Sequence, residues 1–165
     1  MLLAILEDTL VSEFRAYEAL LSVTRDERRI LSVGDAKALL ELIRHKSQLL
    51  DDVDQLERKR QETISAWSQL VGRQSVPANL RSMLPDLDAT MAQRLDSLRD
   101  GILVLIEEQR ELARGNKLLV NSALQQVQAV RDFLLNLCDT PRGYQPVGVS
   151  GPARSRVSLA MEHVA

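Results

Sequence analysis

Apolar residues recur at helical spacing along most of this chain. The longest stripe runs through Met91, Leu95, Leu98, Ile102, Leu105, Leu112, Leu119, Ala123, Val130, Phe133 and Leu137. Steps of four and three alternate, which keeps one side of a helix apolar from end to end. At ~1.5 Å per residue such a helix is roughly 70 Å long. A compact domain of this size, with a radius of gyration near ~15 Å, is only about 40 Å across. The pattern therefore predicts an elongated molecule.

Two shorter helices precede the long one. The first is predicted over residues 3–32, with Leu3, Leu6, Leu10, Phe14, Tyr17, Leu20, Leu21 and Leu31 on one side. Its polar last third, Thr24 to Arg29, is expected to protrude or face solvent. Gly34 can take the left-handed conformation that ends a helix. Asp35 can cap the next one. An antiparallel turn is expected there, with a bent continuous helix as the alternative. The second helix is predicted over residues 36–71. Leu39, Leu42, Leu49, Val53, Leu56, Trp67 and Leu70 form its seam, widened by Ile43, Leu50, Ile64 and Val71. Three apolar positions per heptad suit a bundle better than a two-stranded coil. Lys46 and Arg60 interrupt the seam, and their stems are expected to lie along the groove with the charges in water.

Residues 72–88 read as a connector punctuated by Gly72, Pro77 and Pro85, with a short helix over 79–84. The long helix follows over 86–137. Residues 140–165, crowded with proline and glycine, read as a flexible tail after a helical domain of residues 1–139. Val157, Leu159, Ala160 and Met161 near its end either fold on a partner or belong to a disordered terminus.

Within the long helix, Gly101 and Gly115 each cost about 1 kcal/mol relative to alanine. They lie two heptads apart, and Ser122 and Ala129 continue the same edge. A small-residue edge admits another backbone, either the protein's own first or second helix or a foreign one. Asn116 interrupts the stripe, as a register-fixing buried asparagine does. Gln109 and Gln126 interrupt it too. Beyond the stripe, Leu118, Val120, Leu124, Val127, Leu134 and Leu135 make the last five turns apolar on more than one side. Either the first helix covers this surface or it marks a protein-binding site.

Composition agrees with a helical bundle. Aromatic residues make up 3% of the chain and charged residues 27%, with a net charge of −2. A near-even balance of signs argues against a general nucleic-acid surface. The basic runs Arg28-Arg29 and Arg58-Lys59-Arg60 have acidic neighbours and read as solvated helix faces. Cys138 is the only cysteine, so no internal disulfide can form. The apolar start lacks a basic region and reads as helix rather than signal peptide. No run of eighteen apolar residues exists, so no stable membrane insertion is expected, and the cytoplasm is the default compartment.

Catalytic patterns do not appear. His45 and His163 are the only histidines, and there is no HExxH, CxxC or glycine-rich phosphate loop. Glu107-Glu108 and Asp51-Asp52 are adjacent on helices and point apart. The chain reads as a non-enzyme without catalytic residues, metal or cofactor.

The run Gly34-Asp35-Ala36-Lys37-Ala38-Leu39, followed by Leu42 and Lys46, resembles FlgN-type flagellar export chaperones. The order of elements is similar too, down to a long third helix carrying Asn116 and Asn121, and to the segment from Tyr144 to Gly148. The resemblance covers about residues 2–148; the end past Gly148 has no family counterpart. It implies an all-α protein that binds the C-terminal helices of hook-associated (hook–filament junction) proteins, prevents their premature assembly and delivers them to the flagellar export gate. By position it implies client binding at Leu119, Val120, Ala123, Leu124, Val127, Val130, Phe133 and Leu134, and a gate contact at Tyr144. Two other readings stand beside it. One is a coiled-coil adaptor or self-assembling homo-oligomer, whose stripe closes on a copy of itself. The weaker one is a helical regulator whose basic runs touch nucleic acid or an acidic protein.

Overall fold

The computed structural model describes residues 1–72 and 79–139. Among them are four α-helices, α1 (Leu2–Val33), α2 (Ala36–Leu70), α3 (Leu80–Met83) and α4 (Ala89–Asp139), with a 3₁₀ turn at Leu84–Asp86 and no strand. The fold class is all-α, as the periodicity predicts. Contacts divide the chain into a compact unit, Met1–Val127, and a second unit that begins at Gln128. Pro77 and the whole stretch 140–165 lie outside the described residues, and so does the expected tail with Tyr144 and His163.

The turn between α1 and α2 is the one the sequence encodes. Gly34 adopts φ 76°, and its N–H donates to the Ile30 carbonyl. A side chain would be strained there. The Asp35 carboxylate accepts from the Ala38 N–H at 3.0 Å. Asp35→Ala will lower the unfolding free energy by about 1 kcal/mol, the ordinary value of such a cap, read from the shift of a urea titration.

Ion pairs give the register. Arg60 meets Glu13, and Lys46 meets Glu27. As one partner advances by fourteen positions the other retreats by fourteen, so α1 and α2 are antiparallel. Against α4 the offset is constant. Arg94 pairs with Glu7, Gly101 faces Phe14 and Gly115 faces Arg28, each 87 positions apart. In the first unit α4 therefore runs parallel to α1.

The core draws on every helix. Leu6, Leu10, Tyr17 and Leu20 of α1 cluster with Val53, Ile64 and Trp67 of α2, Leu80 and Met83 of α3, and Leu95 and Ile102 of α4. The short α3 earns its place by inserting two core side chains. A capping box holds it, with Asn79 Oδ1 accepting from the Ser82 N–H and the Ser82 hydroxyl accepting from the Asn79 N–H. α4 starts at Ala89, three residues later than the pattern predicts. The 3₁₀ turn containing Pro85 takes up residues 84–86, Leu87 is extended, and Asp88 caps the helix by accepting from the Met91 N–H.

Several expectations need correction. The polar end of α1 does not protrude. Thr24 is fully buried with its hydroxyl bonded to the Leu20 carbonyl, and Glu27 is drawn inward by Lys46 and Asn116. Arg25, Arg28 and Arg29 of that stretch face water, with Asp26 half-exposed beside Arg29. Lys46 and Arg60 do not carry their charges to solvent either, because α1 presents a carboxylate opposite each. In α2, Leu70 is exposed because the helix ends there, and Ile43, Leu50 and Val71 are exposed too. Ile64, placed on the flank by the pattern, is completely buried.

Candidate functional site

The site is the part of α4 that the rest of the first unit leaves bare. Along the stripe, Leu95 and Ile102 are buried, while Met91, Leu98, Leu105, Gln109 and Leu112 are half-buried. Asn116 is the last buried residue, and every described side chain from Lys117 to Leu137 is exposed. The register explains where cover stops. Val33 ends α1, and an offset of 87 sets it level with Val120. The chain then turns back into α2 through Gly34 and Asp35.

A polar knot closes the covered part. Asn116 Nδ2 donates to the Thr24 carbonyl at 2.9 Å and to Glu27 Oε2 at 2.8 Å. Lys46 Nζ donates to the same carboxylate oxygen at 2.7 Å. Three helices thus meet on one carboxylate, and slippage of α4 by one turn would strip Asn116 of both bonds while Lys46 and Glu27 stayed paired. Asn116 Oδ1 is buried without a protein partner. Asn116 is the register-fixing asparagine that its position in the stripe predicts. Glu27 was not apparent as its partner. A lysine in one seam and an asparagine in another were the available signal that an acid must answer them.

A second polar layer lies deeper. Arg60 Nε donates to both oxygens of Glu13, at 2.9 and 3.1 Å, and the Tyr17 hydroxyl donates to Glu57 at 2.6 Å. Burial pushes the Glu13 carboxyl above its ordinary pKa, with Arg60 opposing the shift. Burial, then the bond to Glu57, also raises the Tyr17 hydroxyl, which keeps it a donor. These residues border a cavity of about 400 Å³ with Leu10, Leu80 and Ile102 on its apolar side.

The small-residue edge is split. A Cβ on Gly101 would come within 2.9 Å of the Phe14 ring, and one on Gly115 within 2.5 Å of the Arg28 guanidinium. Gly101 admits the Phe14 ring of α1, the protein's own helix, and Gly115 lies under the far end of the exposed Arg28 side chain, whereas Ser122 and Ala129 are exposed.

The predicted client residues all fall on the bare part. In the first unit, Leu119, Val120, Leu124 and Val127 are 44–66% exposed, and Ala123 is exposed beside them. In the second unit, Val130, Phe133 and Leu134 are 54–61% exposed. Among the described residues no cluster of three or more His, Cys, Asp or Glu is arranged to hold a metal. No described helix is long and apolar enough to cross a membrane.

The family model described as FlgN protein matches residues 1–150. The chain belongs to the FlgN family. Neither the curated proteins nor the solved structures contain a match to it. FlgN membership carries a chaperone role in flagellum biogenesis. In the first unit of this FlgN-family chain α4 leaves Leu119, Val120, Leu124 and Val127 exposed; in the second, Val130, Phe133 and Leu134 are exposed.

Proposed function

We propose that this FlgN-family chain binds the C-terminal helices of hook-associated proteins in the cytoplasm, keeps them from assembling early and delivers them to the flagellar export gate. One observation carries this reading. Beyond Asn116 the rest of the first unit leaves the apolar side chains of Leu119, Val120, Leu124 and Val127 in water. Single exposed leucines are ordinary, but a contiguous apolar surface on a helix commonly marks a protein-binding face. An amphipathic client helix laid along it would bury surface of ordinary interface size, about 800 Å² per partner. Client apolar groups that would otherwise drive polymerisation would be shielded, and no bond need be made or broken. Tyr144, outside the described residues, is the proposed gate contact.

The test is co-purification of the full chain with the C-terminal segment of a hook-associated protein, followed by light scattering. A defined complex of chaperone and client is expected, and the chain alone is expected to stay open to the client. A tight obligate oligomer that ignores the client would instead favour a self-assembling scaffold. Retention on nucleic acid that fades with salt would favour the regulator.

A further inference from the structure

We infer that the bare part of α4 takes a client segment of two helices, not one, and that it holds them through uncharged contacts. The inference rests on the client-binding reading above. At 3.6 residues per turn, successive side chains are about 100° apart around the axis. In the second unit Phe133 and Leu135 therefore point about 200° apart, and both are more than half exposed. Val130, Leu134 and Leu137 occupy the half of that arc next to Phe133, and Arg131, paired with Asp132, lies beside Leu135. In the first unit the arc from Leu119 to Leu124 spans about 140°, with Val120, Ala123 and Val127 inside it. One helix packed on another covers a stripe of roughly 100°. A single client helix would leave one margin of these arcs in water.

Charge is as informative as width. No charged side chain occurs in residues 118–130, where the polar positions are Asn121, Ser122, Gln125, Gln126 and Gln128. Arg131 and Asp132, which follow, are bonded to each other at 2.9 Å. The covered part of α4 is the opposite, with Arg94, Arg99, Glu108 and Arg114 all in ion pairs. Carboxylates or ammonium groups on the borders of a client would lose water at residues 118–130 and find no counter-charge. The complementary client is a helical hairpin with leucine-rich faces bordered by amides and hydroxyls. Its binding depends little on salt, because residues 118–130 offer no charge to pair across the interface and Arg131 and Asp132 are already paired with each other.

The experiment is calorimetric titration of the full chain. The probe is the C-terminal segment of a hook-associated protein, prepared as its last helix alone and as its last two helices joined. The two-helix form is expected to bind one to one and at least about tenfold tighter, from the second buried margin. Phe133→Ser and Leu135→Ser are each expected to weaken it about tenfold with helicity unchanged, and raising salt from about 0.05 to about 0.5 M to change it less than about threefold. Equal binding of the single helix, silence of either margin variant, or an affinity that falls tenfold with salt would overturn the inference while leaving client binding intact. Failure of both forms to bind would overturn the client reading, and this inference with it.

Discussion

Val127→Asp and Leu134→Asp will each reduce client capture at least about a hundredfold without melting the protein. Covering a valine or leucine side chain contributes about 1.5–3 kcal/mol, and an aspartate put in its place must lose its water on an apolar surface, which costs about as much again. Together these exceed the roughly 2.8 kcal/mol that separates two decades of affinity. The nearest cation along the sequence, Arg131, already bonds Asp132 at 2.9 Å. The folded chain loses little, because Val127 is 66% exposed and Leu134 54%. Surface substitutions of this kind stay within about 0.5 kcal/mol, with a few tenths more for aspartate inside a helix. Titration with a hook-associated segment and a circular dichroism melt of the same sample separate the two effects. Ile102→Asp on the same helix is the control that unfolds, since Ile102 is 6% exposed. If Val127→Asp melted like Ile102→Asp, Val127 would be core and the open surface would not exist.

Arg60→Ala is expected to cost about 3–5 kcal/mol near neutral pH, the usual result of removing one partner of a buried ion pair. Glu13 is 2% exposed, and both of its oxygens accept from Arg60. Without the guanidinium the carboxylate has no counter-charge, and Glu57 adds a second negative charge nearby. The deficit will depend on pH in a definite direction. Burial already holds Glu13 above its ordinary value of 4.5. The folded state therefore holds this proton more tightly than the unfolded chain, and stability from this group falls as pH rises through the folded value. Removing Arg60 removes the main influence that lowers that value, so it climbs further. The gap between variant and parent will be widest at neutral to alkaline pH and will shrink as the solution is made acidic and Glu13 takes up a proton. Urea titrations at both ends of that range measure it. A gap that ignores pH would mean that lost packing of the arginine stem, not the stranded carboxylate, carries the cost. Replacing Glu13 with Leu and Arg60 with Met together is expected to recover most of the loss.

Glu13 shows why part of this core was hard to read. It occupies an apolar face between Leu10 and Tyr17, and Arg60 interrupts the seam of α2. Arg60 taken alone reads as a side chain whose charge reaches water. Pairing them requires the register of α1 against α2, and nothing local to either helix states that register. The same holds for Lys46, Glu27 and Asn116, which come from three helices. Local chemistry was more transparent. Gly34 and Asp35 end one helix and start another through bonds that reach only three or four residues, so the sequence around them is sufficient.

By itself the sequence determined the helices, the α1–α2 turn and the apolar stripe of α4. Those depend on spacing, propensity and capping, which are properties of neighbouring residues. It also marked the face on which the proposed client residues lie. It left open whether α1 would cover that face, because the answer depends on how far α1 runs beside α4. Only the tertiary structure decided this. The fit of Phe14 over Gly101 and of Arg28 over Gly115 places the two helices in one register, and in that register α1 ends level with Val120. Beyond it, Val127 keeps its side chain in water, as do Phe133 and Leu134 in the second unit.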